Sequence, residues 1–527
     1  MIEAPHTSAN GTNVSSPEPY TVSEKILGEA RHLRVISVGA GASGLNLAHQ
    51  ISQHMRNIDL TIYEKNPEVG GTCYSRAPEI LEYFKNVAKK YDLYRFINLN
   101  HSVINAEWVE SDSIWKIKVQ DNATGRIIDD WCHFMITASG ILNNWKWPDI
   151  PGLHSFKGEL LHSAAWNKNV SWEGKTVAVL GCDVKQLVTF IRTPTWITAG
   201  FAQNKAGPNG SNFAFSEGQK EQFRNEPETY LKYRKEVEHE LNSRFRFIIK
   251  DSPDQAEAVR FSIDEMKKKL GKDSPLLKYL IPTFAVGCRR PTPGNGYLES
   301  LGKENVRVVT DSISEIVPEG IKLSTGEVIA VDMFICATGF DISFRPRYPI
   351  TGRNGITLGD QWKKKPSAYL SLAVPNFPNH FMFLGPSAPI GHGSVLPIVE
   401  HSTKYILKMI HKCQTQDVKA VTVNQQAVDD FDEHIQVFMQ RTAWTTHCRS
   451  WFKNGTVDGP VVALHPGSRV HWFHMLDEPR YEDYAWDGIK KNRFSYLGNG
   501  FSSKEANGKD TAYYFDNPTA GYEWAAA

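Results

Sequence analysis

The sequence predicts an α/β protein built on two Rossmann-like dinucleotide-binding domains, with a helical insertion and an irregular C-terminal region. Three observations predict it. First, an apolar run at Val35–Val38 feeds into Gly39-x-Gly41-x-x-Gly44, after which Leu45, Leu47 and Ala48 open a helical pattern. Second, Lys175-Thr176-Val177-Ala178-Val179-Leu180-Gly181 is again a strand meeting a glycine. Third, His133–Gly140 and Val331–Gly339 echo one another, each a buried strand ending in small residues and a glycine. Two such strands read as two crossings between paired domains.

Taken in order, residues 1–30 are a polar tail rich in Ser, Pro, Asn and Thr, expected to be disordered. Residues 31–150 form the first part of one nucleotide domain. In it, Gly39 permits the tight strand-to-helix turn, Gly41 lets the backbone approach a pyrophosphate, and Gly44 lets helix and strand pack closely. The pyrophosphate would sit on the helix N-terminus. Asp59–Glu64 reads as a second strand, and Glu64 lies twenty residues past Gly44, where a carboxylate meets a ribose hydroxyl. Val69-Gly70-Gly71-Thr72 is a second glycine turn, and Ala77–Asp92 has helical spacing. Residues 102–120 alternate like hairpin strands, with a turn expected at Asp121-Asn122. Trp147-Pro148-Asp149-Ile150-Pro151-Gly152 is a rigid connector and a plausible boundary.

Residues 151–335 read as the second nucleotide domain. Leu187–Arg192 is a further strand, residues 216–280 are a charged, solvated helical insertion, and residues 305–330 are short strands with a turn at Thr325-Gly326. Residues 336–527 return to the first domain and cap it. There His380–Pro386 is a strand entering a glycine loop, and Val395–His411 is a helix facing that loop.

Composition bounds the function. The 527 residues carry a net charge of +1, which argues against nucleic acid or anionic lipid as a partner. No apolar run is long enough for a membrane span, and no signal-peptide core opens the chain. Seven scattered cysteines (Cys73, Cys132, Cys182, Cys288, Cys336, Cys413 and Cys448) lack a C-x-x-C pair. They are expected to be free thiols of a reducing compartment, the cytoplasm, with no metal site. Aromatic side chains are dense after Trp444, which fits either ordinary core or packing over a large ligand.

These motifs together resemble the class B flavin-dependent monooxygenases. Gly39, Gly41, Gly44, Glu64 and Gly70-Gly71-Thr72 resemble the FAD half of that family. Phe156-Lys157-Gly158-Glu159-Leu160-Leu161-His162-Ser163-Ala164-Ala165-Trp166 matches F-x-G-x-x-x-H-x-x-x-W, the fingerprint of Baeyer–Villiger monooxygenases, with Asn167 at the final position where Pro or Asp is usual. Phe190-Ile191-Arg192-Thr193-Pro194 and Gly287-Cys288-Arg289-Arg290 are also similar to family segments, in the style of fungal secondary-metabolism members. The resemblance implies FAD and NADPH as cofactors, and O2 and a hydrophobic ketone as substrates. It implies an oxygen inserted next to the carbonyl to give an ester or lactone. By position, Arg290 would be the catalytic arginine, a permanent cation for the anions that form as oxygen reacts. Arg289 would contact the nicotinamide half of NADPH, Gly181 its pyrophosphate turn, and Arg192 and Thr193 its 2′-phosphate. His162 would be either a linker residue coupling domain rotation to turnover or a satisfied core histidine.

Two departures accompany the resemblance. After Thr72 the chain passes through Cys73-Tyr74-Ser75-Arg76 directly to the next helix, where the family carries a longer segment with a functional aspartate that no residue here matches. Between Gly181 and Leu187 only five residues remain, too few for the usual helical crossover between parallel strands. Either those strands pair differently or a segment is missing, and a lost helix would leave its apolar footprint on the sheet exposed. The alternatives are an impaired flavoprotein-like homologue or an N- or S-oxygenating relative.

Overall fold

The computed structural model describes residues 20–71, 77–167, 169–178, 186–191, 193–198, 200, 203–207, 211 and 213–516. Its first part comprises β1 (Leu33–Val38), α1 (Ala42–His54), β2 (Ile58–Tyr63), α2 (Ala77–Lys90) and β3 (Ile97–Asn98). An antiparallel ribbon follows, β4 (His101–Val109), β5 (Ile114–Asp121) and β6 (Ile127–Cys132), and then β7 (Phe134–Thr137). The second part holds β8 (Glu159–His162), β9 (Thr176–Ala178), β10 (Gln186–Phe190) and β11 (Ile197–Thr198). After them come α3 (Glu217–Asn225), α4 (Pro227–Ser243), α5 (Pro253–Leu270), α6 (Leu277–Leu280), β12 (Thr292–Pro293) and α7 (Tyr297–Ser300). It closes with β13 (Val306–Val309), β14 (Ile313–Val317), β15 (Gly320–Leu323), β16 (Val328–Ala330) and β17 (Met333–Cys336). The remainder is β18 (Ile350–Thr351), α8 (Leu358–Gln361), β19 (His380–Met382), α9 (Val395–Thr415), β20 (Val418–Val423), α10 (Gln425–Met439), α11 (Arg469–Asp477) and β21 (Tyr484–Gly488).

Two parallel sheets carry the architecture. The first has the order β19-β7-β1-β2-β3. β1 is central, and Leu33, Val35 and Ile36 are buried on both of its faces, as a covered parallel strand requires. α1 turns Leu45, Leu47, Ala48 and Ile51 into the core, and α9 packs beside it with Tyr405, Ile406, Met409 and Ile410 fully buried. Gln414, in the last turn of α9, donates its amide to the carbonyls of Arg31 (2.8 Å) and Arg56 (2.7 Å), pinning the entries to β1 and β2. The second sheet has the order β13-β10-β9-β17-β8, again all parallel. Both echo strands, β7 and β17, lie inside their sheets, and β19 from the C-terminal part pairs with β7.

Several expectations need correction. The antiparallel ribbon has two turns rather than one. β4 and β5 join through Glu110–Ser113, where Ser113 takes a left-handed φ of 53°, and the turn after Asp121 leads on to β6. The insertion is also not uniformly solvated. α3 and α4 bury no residue, whereas Met266 of α5 joins Trp196, Ile197, Leu280, Val286 and Leu298 in a separate core. Gln255 of α5 pairs with Val286 like a strand neighbour, its Nε2 donating to the Val286 carbonyl (3.0 Å) and its Oε1 accepting the Val286 amide (3.1 Å).

β9 and β10 do not pair differently: they are parallel neighbours, with Thr176 opposite Gln186 and Ala178 opposite Val188. The connection is residues 179–185, which lie outside the described residues. Because both strands are short, the chain returns only about 8 Å, two residues along and one strand across. Eight Cα steps reach well beyond roughly 20 Å. Seven residues thus cover the distance, though they are too few for the usual crossover helix. The expected apolar footprint is not exposed either, since Leu161, Val177, Leu187, Met333 and Ile335 form a buried cluster with Val170 and Trp172 against it.

Where α1 meets the end of β1, glycine packs directly against backbone. A methyl group on Gly44 would stand 2.0 Å from the Gly39 carbonyl oxygen. Gly44→Ala is expected to lower stability by about 2–3 kcal/mol or more, read as a drop in melting temperature.

Candidate nucleotide and arginine site

The first half of the site is a glycine cradle at the C-terminal end of β1. Gly39 adopts φ 110°, and a methyl there would meet the Ala138 carbonyl oxygen at 2.6 Å. Gly41 is the N-cap of α1 and brings no side-chain cap, and the first turn holds no acidic residue. The amides ahead of Leu45, the first to bond back to Gly41 (2.9 Å), have no partner within the helix. They form an anion-binding end, reinforced by the helix dipole. Gly71 lies beside this turn, its Cβ position 4.0 Å from the Ala42 nitrogen.

Glu64 closes the cradle at the end of β2 and is buried. Its Oε2 accepts the Ala40 amide at 2.8 Å, and its Oε1 accepts the backbone (2.9 Å) and side-chain (2.7 Å) nitrogens of Asn66. The carboxylate is thus fixed by the same loop that carries the glycines. The structure brings together Gly39, Gly41, Gly44, Glu64 and Gly71. Thr72, Gly181 and Arg192 lie outside the described residues, and Thr193 is exposed.

The second half is the segment Ala285–Arg290. Here the expectation of free thiols fails for one pair: Cys288 and Cys448 are disulfide-bonded, while Cys132, Cys336 and Cys413 are free and buried. Sequence spacing could not show this, because the bonded residues are 160 positions apart. The bond sets Arg289 near Arg449, and burial together with that second cation lowers the Arg289 pKa. Arg289 lies over the Phe284 ring at 5.4 Å, and its Nε is a buried donor without a partner among the described residues. Lys453, fully buried, donates to the carbonyls of Thr446 (2.8 Å) and Val457, and burial lowers its pKa. This group of neighbouring cations suits an anionic ligand group.

Arg290 donates from Nη2 to the Gly393 carbonyl at 3.3 Å. Gly393 belongs to the loop Gly391-His392-Gly393-Ser394, which leads into α9. His392 packs on Phe245 at 5.1 Å, and its Nε2 accepts the Arg469 amide at 3.0 Å. Burial, then Arg469 and Arg290, push its pKa down to about 4. His392, Arg469, Lys453 and the disulfide were not foreseen from sequence; the one available signal was the glycine loop after β19. His162 is buried in β8, stacks on Trp145 at 4.5 Å and accepts the Ala164 amide at 3.1 Å on Nδ1. Its proton therefore sits on Nε2, which faces Thr338 Oγ1 at 3.4 Å. Burial lowers its pKa.

A family model of NAD(P)-binding Rossmann-like domains matches residues 38–92, which span the glycine cradle and α2. The chain is 37% identical to the FAD-binding monooxygenase tazF of Aspergillus terreus over 92% of this chain and 94% of that protein. It is 28% identical to a Baeyer–Villiger monooxygenase of Pseudomonas aeruginosa, over 83% of this chain and 88% of that one. Among solved structures, cyclohexanone monooxygenase from Rhodococcus sp. Phi1 bound to NADP+ superposes with a TM-score of 0.72. It is 22% identical, with 87% of this chain and all of that chain covered.

Two outcomes follow from the arginine half. Replacing Cys288 and Cys448 together by serine is expected to cost about 2–4 kcal/mol, seen in denaturant melts. The folded chain refuses a proton at His392 that the unfolded chain accepts below about pH 6.5. Stability should therefore fall as pH drops from about 6.5 to about 4 and lose nothing further from this group below that. His392→Gln, which keeps an acceptor for the Arg469 amide, should flatten that part of the melting curve against pH by on the order of 3 kcal/mol.

Proposed function

The chain belongs to the FAD-binding monooxygenases, and from that premise we propose that it uses FAD and NADPH to insert one oxygen atom of O2 next to the carbonyl of a hydrophobic ketone. The product is an ester or lactone, made in secondary metabolism. The observation that carries this reading is the paired arginine segment: Arg290 stands on the Gly391–Ser394 loop at the head of α9, and α9 packs against α1 of the glycine cradle. Relatives with Baeyer–Villiger and cyclohexanone activities in their names support it.

The cradle fits FAD, because Cβ atoms at Gly39 and Gly44 would fill the space the turn needs and a carboxylate waits at Glu64. Gly39, Gly41, Gly44, Gly71 and Thr72 would hold its diphosphate, and Glu64 its ribose. When bound, FAD supplies oxygen activation and NADPH the reducing equivalents. The chain's own residues bind, orient and supply charge. Arg289, with Gly181, Arg192 and Thr193, would take the nicotinamide nucleotide. Its partnerless Nε and the neighbouring Arg449 favour an anion there. Arg290 carries a permanent charge, and its Nη2 donates to the Gly393 carbonyl. Its role is to stabilise negative charge on oxygen as the carbonyl becomes tetrahedral. His162, neutral and locked between Trp145 and Thr338, acts as a packing residue of the connector rather than as a base. Among the described residues no helix is long and apolar enough to cross a membrane. We place the protein in the cytoplasm, where burial shields the Cys288–Cys448 bond from reductants.

The seven-residue β9–β10 connection favours a second reading, in which flavin binds but NADPH reduces it poorly for want of a crossover helix N-terminus. The two separate in an anaerobic titration. Under the first reading, stoichiometric NADPH bleaches the flavin band; under the second, dithionite bleaches it and NADPH does not. Absence of any flavin band after FAD addition would sink both. Arg290→Ala should cut ester formation by about a hundredfold or more while NADPH consumption continues. Ester yield equal to the parent protein's would refute the role given to Arg290.

A further inference from the structure

Arg469 is a cation with no solvent contact, a placement that needs a reason. It is the first residue of α11, after the N-cap Ser468. Its Nη2 is paired with Glu238 of α4 at 2.6 Å and also donates to Asn242 Oδ1, which accepts from Nε as well, at 3.1 Å. Its Nη1 donates to the Ser394 carbonyl at 2.9 Å, and its backbone amide donates to His392 Nε2 at 3.0 Å. Gly393, between those two partners, adopts φ 76°, and a methyl group there would meet the Arg469 Cζ at 2.6 Å. The guanidinium plane thus lies on the glycine itself. On the same residue, the Gly393 carbonyl accepts Arg290. One loop of three residues is therefore gripped by two guanidinium groups, one of which is neutralised by an acid from the helical insertion.

We propose that Arg469 is a positioning residue that fixes the His392–Ser394 loop so that the Gly393 carbonyl orients the Arg290 guanidinium, and that Glu238 and Asn242 make this support depend on the docking of α4. The inference rests on the catalytic reading of Arg290. Arg469 touches neither substrate nor cofactor in this scheme. Its contribution is geometric: a planar fork with nearly all its donors committed holds carbonyls at fixed angles, which a lysine cannot do. A displaced Gly393 carbonyl moves the acceptor that aims Nη2 of Arg290, and a displacement on the order of 1 Å in a catalytic group reduces rate by about a hundredfold. The glycine is required twice over, for its left-handed backbone and because any side chain would occupy the place of the guanidinium.

The test uses the full-length holoenzyme and the variants Arg469→Gln, Arg469→Lys, Glu238→Gln and Arg290→Ala. Glu238 is partly exposed, so its amide variant should fold even where Arg469→Gln does not. Two readouts are taken: hydrogen–deuterium exchange of the peptide covering residues 388–396, and ester formed per NADPH consumed with a panel of cyclic and long-chain ketones. Exchange at His392–Ser394 should rise in the Arg469 and Glu238 variants while β1 and α1 stay protected. Ester per NADPH should fall about tenfold in Arg469→Gln or Arg469→Lys, and less in Glu238→Gln. Adding Arg290→Ala to any of them should cause no loss beyond that of Arg290→Ala alone. Unchanged loop exchange in both Arg469→Gln and Glu238→Gln overturns the proposal, and so does a loss that multiplies with that of Arg290→Ala. Where Arg290→Ala itself leaves the yield unchanged, the catalytic reading of Arg290 falls and takes this inference with it. Where Arg290→Ala matters and the Arg469 and Glu238 variants do not, this inference alone falls.

Discussion

The cradle depends on a contact between two pieces of backbone: the first turn of α1 rests on the Gly39 carbonyl, with no room for even a methyl group at Gly44. From that contact the neighbours take their places. The Ala40 amide can reach Glu64, and the Ala40 carbonyl can accept the Gly70 amide at 3.2 Å, which brings the second glycine turn against the first. Gly71 then sits beside the α1 N-terminus, and Phe84 of α2 closes over it, 3.8 Å from its Cβ position. What organises the site is the absence of side chains, so that amides and one carboxylate face a shared space.

Parts of this were legible in the chain because they are local. β1 is an apolar run, α1 follows within a few residues, and Glu64 stands one unit of strand and helix further on. In the β4–β6 ribbon the turn after Asp121 is legible from its Asp-Asn pair, whereas the one at Glu110–Ser113 carries no glycine or proline to mark it. Helices α4 and α5 both looked charged, yet only α5 carries a buried stripe, and its polar Gln255 lies inside because Val286 offers both a donor and an acceptor. The arginine half was legible only as a resemblance. The bond from Arg290 to Gly393 joins residues 103 apart, and that from Arg469 to Glu238 joins residues 231 apart. No periodicity reports such pairs, and an arginine opening a helix reads as solvated until its acid is found.

Charge arrangement separates the two halves. At the cradle, positive potential comes from a helix end and amides, with a buried acid opposite. Around Arg289 it comes from whole charges, Arg289, Arg449 and Lys453, held close although burial disfavours the charged form of Arg289 and Lys453. Such a cluster is costly without counter-charge, and Asp458 offsets part of that cost at Lys453. His392 fits this setting only as a neutral ring, and its neutrality leaves Nε2 able to accept from Arg469. Sites that keep like charges together do so at the expense of stability.

The pairing of β19 with β7 has a consequence for how the chain is made. Strand β19 begins at His380, more than two hundred residues after β7, so the first sheet stays open at that edge through most of synthesis. The second sheet needs only residues 159–336 and can close while the ribosome is still producing the rest. Until α9 emerges, the apolar face of α1 that meets it is bare. A chain arrested between β17 and β19 would therefore display one finished sheet and one sticky, incomplete one, the state in which chaperones would be expected to meet it.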